Sequence, residues 1–508
     1  MRWGWSFLRL ERADEVTAFA FPRSALPALL GAFFAACLYA VWDLEGRWFI
    51  VTIAGICLVS LSMAFAGRFS ELLLILLLLC VPLAGFAKWS FLDEGYYSED
   101  VRSASLYTGT LGIGVLDFLI AGLYFAWAFR IFVLRSTPLP GPRQADAWVM
   151  LYTLACVVSL WGAQFLQLGA YSLQNLLKHV LVYFYVSRHF RREHLPWYLA
   201  SVAVAILAEA ATGLLQYQGS LPPGLILDKG AGGDLLEKQY RVPGIEDVSR
   251  ATGLTYDSHS LGIYLAMLMP TPLVFLFHRA LSVRMRLLNG AILLLGLATM
   301  LVTFSRSAWL GSVISLGIVV GAMLAWRERY VIQGLIGLAI AGIVGAPWIF
   351  SRFLARLVDA PRELLTARFD QFPVAWSIWR ENFLFGSGAG NYMERMYRLN
   401  VNWSLPEPVH NVPLFIGAEM GLFGVVAYYG LVLSALVRLW HLARGQDPLV
   451  RRVAMAAFAG LLAYVFDGMS NPLFREPTVY MCFWITVAIG VALAAETRPT
   501  AQRRVSTP

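Results

Sequence analysis

Apolar residues in this chain come in long runs, separated by short charged stretches. Ala25 to Trp42, Leu72 to Leu92, Trp197 to Tyr217 and Gly334 to Phe350 are examples. A helix needs about 20 such residues to cross a hydrocarbon core. A soluble core helix would interrupt the run with a polar face. A membrane barrel would alternate over about 10 residues, and no such alternation is present. The pattern predicts an all-α, polytopic membrane protein with about 14 spans. They fall near 24–42, 48–66, 70–92, 109–133, 147–167, 171–188, 196–217, 259–278, 287–304, 307–325, 331–350, 411–437, 453–467 and 477–495.

The loops carry the orientation. With the N-terminus inside, the even-numbered loops hold Arg130, Arg135 and Arg143, then Arg188, Arg191 and Arg192, then Arg279, Arg284 and Arg286. Arg327 and Arg329 follow, then Arg438, Arg444, Arg451 and Arg452, and the tail holds Arg498, Arg503 and Arg504. The first sizeable outside loop instead reads Asp93, Glu94, Glu99 and Asp100. Positive residues concentrate on the cytoplasmic side of membrane proteins. Both termini are therefore expected in the cytoplasm.

This divides the chain into an interfacial N-terminal segment (1–23), N-terminal spans (24–217), an outer loop (218–258), central spans (259–350), a second outer loop (351–409), C-terminal spans (410–495) and a cytoplasmic tail (496–508). The first outer loop holds Pro222, Pro223, Gly230, Gly232 and Gly233. The second holds Phe369, Phe372, Trp376, Trp379, Phe383 and Phe385 at spacings that suit short amphipathic helices, so it is expected to form a folded cap on the membrane surface.

Composition agrees: 58% of residues are hydrophobic and 14% charged, with a mean hydropathy of +0.62. A net charge of +8 could suggest nucleic acid in a soluble chain. Here the basic residues encode topology and no stacking platform accompanies them, so no nucleic-acid partner is expected. Cys37, Cys57, Cys80, Cys156 and Cys482 lie in or at the ends of apolar runs and form no CxxC pair, which gives neither a zinc site nor a disulfide framework. Residues 1–23 mix Arg9, Glu11, Arg12, Asp14 and Glu15 with aromatics and lack a cleavage site; they read as an interfacial helix rather than a signal peptide.

Several arginines stand on the side that should be poor in them. Arg306, in Thr303-Phe304-Ser305-Arg306-Ser307, sits at the turn between two spans. It reads either as an interfacial anchor or as part of an anion site, since guanidinium fits phosphate bidentately. Arg250 closes the first outer loop, and Arg352, Arg356, Arg362, Arg368 and Arg380 belong to the second. Some of these form a solvated face with Asp359, Glu363, Asp370 and Glu381; together they suggest an anionic ligand such as a lipid diphosphate or headgroup. His410, beside Asn411, opens a long span on the same side, as a cap or as a general base. His259 is a second candidate at another span mouth. Phe385-Gly-Ser-Gly-Ala-Gly-Asn391 is a turn with close backbone approach, and no Lys-Ser/Thr follows to make it a phosphate loop. Asp117, Lys178, Glu209 and Asp467 lie inside spans, as paired contacts or as an ion pathway.

Four stretches resemble the bacterial O-antigen ligase and O-antigen polymerase superfamily. They are Arg250-Ala-Thr-Gly253, Ser305-Arg306, Arg368 through Phe385-Gly-Ser-Gly388, and His410-Asn411 followed by Glu419-Met-Gly421-Leu-Phe-Gly424. The resemblance covers roughly residues 245–430. It implies a GT-C-like, metal-independent, inverting glycosyltransferase of the bacterial inner membrane. Its donor would be a glycan on undecaprenyl diphosphate, taken at the periplasmic face, and its acceptor lipid A–core or another glycan. By position it implies diphosphate binding by Arg306, Arg368 and Arg250, with Arg352, Arg380, His259 and Asn411 as secondary candidates, and a general base in His410. No cofactor or metal is implied. The chain departs from the pattern in its larger number of spans and in carrying His259 where Asn is more typical. A ligase is the leading expectation, with an exopolysaccharide polymerase and a protein O-oligosaccharyltransferase as alternatives of the same chemistry. A lipid or polysaccharide transporter is the alternative of another class; it would place polar groups near the bilayer midplane and often repeat its halves.

Overall fold

The computed structural model describes residues 66–84, 89–90, 112–113, 115–133, 135, 141–221, 250–255, 257–328, 330–334, 336, 362–399, 408–472 and 476–497. The segment 1–23, the expected spans at 24–42 and 48–66, and most of 218–258 and 337–361 lie outside the described residues. So do Arg352, Arg356 and the tail from 498. The chain forms two compact units. One comprises 1–73 and 121–140, and the other comprises 74–120 and 141–508. In the first, Tyr124 and Trp127 meet edge to face at 5.5 Å. The rest of the description concerns the second.

The described residues are almost wholly helical. The helices are α1 (Ala66–Leu79), α2 (Val115–Ala128), α3 (Asp146–Ser159), α4 (Leu166–His189), α5 (Leu195–Tyr217), α6 (Ser258–Leu268) and α7 (Pro270–Leu276). Then come α8 (Val283–Val302), α9 (Arg306–Ala325), α10 (Arg362–Glu381), α11 (Tyr392–Arg398), α12 (Val412–Ala443), α13 (Pro448–Asp467) and α14 (Pro477–Glu496). One two-residue strand pairing, Trp89–Ser90 with Gly112–Ile113, is the exception.

Among the described residues, eight helical stretches are long and apolar enough to cross a membrane. Part of the distance from the expected 14 lies in the residues not described. Part is physical: α3 has only 14 residues, and α4, though 24 residues long, carries Gln, Asn, Lys and His and falls short of span hydropathy. The α6–α7 pair and α14 are apolar on every side and buried nearly throughout, as expected of helices at the centre of a bundle. Around them α14 packs on α4 and α12, and α13 on α9, α6 and α12. Lys178 does not sit alone on α4; it pairs with Asp117 at 2.8 Å.

Helix directions separate two ends of this bundle. A helix of 20 residues spans about 30 Å. At one end Arg188 pairs with Asp146 at 2.6 Å, Arg192 meets Asp447 at the head of α13, and Arg452 binds Glu328 beyond α9. At the other end lie the start of α6, the start of α9, the start of α12 and the finish of α13.

In the described part of the second expected outer loop, one helix is longer than the expected short ones. Of it, α10 runs for 20 residues and α11 for seven. Ala375 and Ile378 of α10 join Tyr392, Met393 and Met396 of α11 against Phe415 and Ala418 of α12 in one buried cluster. Phe369, Trp376, Phe383 and Phe385 stay exposed, an aromatic face suited to a membrane interface.

The segment after α10 breaks α12. Gly421 takes φ 67° and ψ −169°, so α12 is two helices joined at a kink. A break leaves carbonyls and amides without helical partners, which is costly in a membrane unless something else satisfies them. Here Ser387 and Gly388 donate to the carbonyls of Ala418 and Glu419, both at 2.9 Å. Beyond the break, Leu422 and Phe423 donate to the carbonyls of Phe383 and Leu384 at 2.8 and 3.1 Å. The glycine turn is what permits this approach. A Cβ at Gly388 would stand 2.6 Å from Ala163, one at Gly386 would strike the backbone of Glu419 and Met420, and one at Gly421 that of Leu384 and Phe385. Asn391 completes the dock by exchanging two hydrogen bonds with the backbone of Phe165, at 2.8 and 3.2 Å.

Candidate functional site

The site is built from helix ends. Asp257 caps α6, its Oδ1 accepting from the amides of His259 and Ser260 at 2.7 Å each. This fixes the entry angle of His259. Its Nδ1 meets Ser305 Oγ at 2.7 Å, and its Nε2 meets Asp467 Oδ2 at 2.8 Å. Asp467 is the last residue of α13 and fully buried, while the His259 side chain is 21% exposed. Asn471 donates to Asp467 Oδ1 at 3.3 Å and reaches Ser307 Oγ at 3.4 Å. The carboxylate reads in the sequence as an intramembrane charge; the fold places it at a helix end, in a network.

Ser305 and Arg306 stand at the head of α9, after a tight turn from α8. Phe304 takes φ 52° there, a left-handed conformation that costs a bulky residue of order 1–3 kcal/mol. The turn is held from outside: Arg250 Nε donates to the Thr303 carbonyl at 3.0 Å, and the Ala251 amide to that of Val302 at 3.1 Å. Gln216 of α5 accepts from the amides of Thr252 and Gly253 at 2.9 and 2.7 Å. Glu209 accepts from Leu254 at 2.7 Å. Thus the intramembrane Glu209 serves as a clasp on the Arg250–Leu254 segment. Arg306 is half-buried, and its guanidinium has no partner among the described residues.

His410 and Asn411 precede α12. Asn411 acts as its cap, accepting from Leu414 at 3.0 Å and donating to the Met469 carbonyl at 3.0 Å. The Val412 amide donates to Gly468 at 2.8 Å. These bonds tie His410 to the turn that follows Asp467. His410 Nδ1 lies 2.9 Å from Oε1 of Gln371 on α10, and the His410 amide donates to the same oxygen at 3.1 Å.

One connected set therefore runs Arg250, Thr303, Ser305, His259, Asp467, then through the 467–469 turn to Asn411, His410 and Gln371. Arg250, Arg306, His259, His410 and Asn411 stand out in the sequence, and the fold gathers them at one end of the bundle. Arg368 lies on α10 one turn ahead of Gln371. Arg380, near the far end of α10, is exposed and apart from this set. Arg352 lies outside the described residues. Sequence reasoning passed over Gln371, Ser307 and Asn471, since uncharged residues carry no signal without their partners.

Residues 291–429 match the family described as O-Antigen ligase. The match takes in Arg306, α10 with Gln371, the glycine turn, His410 and the break in α12, and it ends within α12, before Asp467. No curated protein matches the chain. The match spans about a quarter of the chain, so it is over this middle region, with its arginine and histidine at one end of a bundle of membrane-length helices, that the protein is similar to the O-antigen ligase family.

Proposed function

We propose that the chain is an O-antigen ligase-type enzyme that moves a glycan from undecaprenyl diphosphate to a hydroxyl of lipid A–core at the periplasmic face of the inner membrane. The observation that carries this reading is the convergence of Arg306 and His410 on one connected end of the bundle within the matched region. The arginine-rich loops of the sequence belong to the other end, which supports an outer placement of the site.

The chemistry follows from charge. As the anomeric carbon leaves its diphosphate, negative charge grows on the leaving group. Arg306 and Arg368 would stabilise that charge as fixed donors do in an oxyanion hole, without requiring a divalent metal. Arg250 contributes from behind, by holding the turn that presents Arg306. His410 accepts the proton of the acceptor hydroxyl, which attacks directly and inverts the anomeric centre. A general base of this kind contributes about 10²–10⁴-fold. The exposed aromatic face of α10 would rest on the lipid and shield the reacting carbon from water.

The test is reconstitution in vesicles with an undecaprenyl-diphosphate glycan, offered lipid A–core, a second lipid-linked glycan or a protein acceptor, and read by product mass. Transfer to lipid A–core that survives EDTA is the expected result. Elongation of the second lipid-linked glycan alone would make the enzyme a polymerase. Passage of glycan across the membrane with no product would overturn the transferase reading.

A further inference from the structure

Gln371 of α10 is a buried amide, 5% exposed, on a helix whose other face is open. Its Oε1 receives the backbone amide of His410 and lies beside Nδ1 of the same residue. The two contacts together determine more than either does alone. A backbone N–H can only donate, so the Gln371 atom facing it must be the carbonyl oxygen and not the NH₂. That oxygen has no proton to give. Nδ1, 2.9 Å away, must therefore be the protonated nitrogen of the ring. In a neutral imidazole the lone pair then lies on Nε2.

We infer that Gln371 is a positioning residue for the transfer reaction: it locks His410 in the Nδ1–H tautomer and so directs the basic Nε2 toward the acceptor hydroxyl. The inference rests on the reading of His410 as the base. The proton balance is simple. The acceptor O–H bond breaks as its oxygen bonds to the anomeric carbon, the proton goes to Nε2, and the electron pair of the severed C–O bond leaves with the diphosphate.

The identity of the partner is functional. A carboxylate at this position, as in many histidine bases, would stabilise the imidazolium and hold His410 protonated to higher pH. A neutral amide orients the ring without that effect and keeps it available as a base near neutrality. Ionisable residues on the elements around His410 include Arg368, Asp370, Arg380 and Glu381 on α10, Glu394, Arg395 and Arg398 on α11, Glu419 on α12, and the Asp467–His259 pair. Substitution of Gln371 leaves all of them in place, so a change in titration reports on the amide.

The experiment measures the pH profile of kcat, and the donor KM, for the full-length enzyme in vesicles with Gln371→Glu, Gln371→Leu and His410→Ala. Gln371→Glu, nearly isosteric, should move the acidic limb of the profile to higher pH. Gln371→Leu should lower kcat by about 10–100-fold with donor KM unchanged, by analogy with outer-shell partners of ligating histidines. In the His410→Ala background neither substitution should lower the residual rate further. A fully active His410→Ala enzyme would remove the base reading and this inference with it. An inactive His410→Ala enzyme alongside wild-type profiles for both Gln371 variants would overturn the inference alone. Should Gln371→Leu fail to fold, the Gln371→Glu profile decides.

Discussion

His259 and Asp467 stand 208 positions apart in the chain and meet at 2.8 Å, Nε2 to Oδ2. The bond joins the first turn of α6 to the last residue of α13, and its other ring nitrogen reaches the head of α9. Three helix ends are thus pinned by one imidazole. The carboxylate is fully buried, so deleting its partner leaves a polar group without compensation.

The pair should behave as a unit. His259→Leu alone, which leaves the buried Asp467 carboxylate without its imidazole, should destabilise the protein by about 3 kcal/mol, the range for breaking a buried pair by removing one partner. The double variant His259→Leu/Asp467→Leu should lose less than the sum of the singles, with a coupling of about 0.5–3 kcal/mol. Thermal unfolding in detergent measures this cycle. Strict additivity would mean that the contact carries no energy of its own.

The break in α12 gives a sharper contrast among glycines. Gly421 takes a positive φ and a Cβ there would strike the backbone of Leu384. Gly421→Ala is therefore expected to lose both the permitted conformation and the dock of the 383–388 segment, at a cost of more than about 2 kcal/mol. Gly317 and Gly321, in the middle of α9, have nothing within 4 Å of the same position. Gly317→Ala and Gly321→Ala should instead stabilise by about 0.5–1 kcal/mol, since alanine is the better helix former. Melting of the three variants in one detergent separates the cases.

At the other end, Asp447 caps α13 through the amides of Leu449 and Val450 and meets Arg192 at 2.5 Å. Partial burial pushes its pKa up. The Arg192 hydrogen bond and the two amides outweigh that push and hold the carboxyl below its ordinary range. A depressed folded pKa means stability that is present above the unfolded value near 3.8 and lost as pH falls through the folded one. Asp447→Asn should thus cost about 1 kcal/mol or less at neutral pH, because the Arg192 side chain is largely exposed. The difference from wild type should shrink as pH drops below about 4. A difference that persists unchanged at pH 3 would assign the effect to the cap rather than the charge.

The sequence made the membrane character plain because hydropathy is a local property: each run announces itself. It also marked Arg306, Arg250, His259 and His410, since charged residues at span mouths stand out singly. What it could not give is pairing. Asp467 looked like an intramembrane charge because its partner lies 208 positions away. Glu209 looked like an ion-pathway residue because its role is to accept one amide, that of Leu254, from a segment far along the chain. Gln371 carried no signal at all. The outer cap was expected from its aromatic spacing, but the dock of Gly386–Gly390 into α12 depends on a helix break that no periodicity reveals.

Arg250 and Arg306 look equivalent in sequence, and the fold separates them. Arg250 donates to the Thr303 carbonyl and so supports the strained turn at Phe304. Arg306 has no such structural bond among the described residues. Replacing Arg250 by alanine should lower stability by about 1.5–3 kcal/mol, the range for a hydrogen bond to a charged group. Replacing Arg306 by alanine should leave unfolding within about 0.5 kcal/mol of wild type. Its cost should appear in transfer, as a loss of about 10²–10³-fold typical of a removed charge-stabilising donor. Arg306→Lys should recover little of it, because a point charge does not reproduce the planar fork that grips two phosphate oxygens. Parallel melting and transfer assays on the three variants check this. An Arg306→Ala enzyme that unfolds early yet transfers normally would reverse the roles of the two arginines.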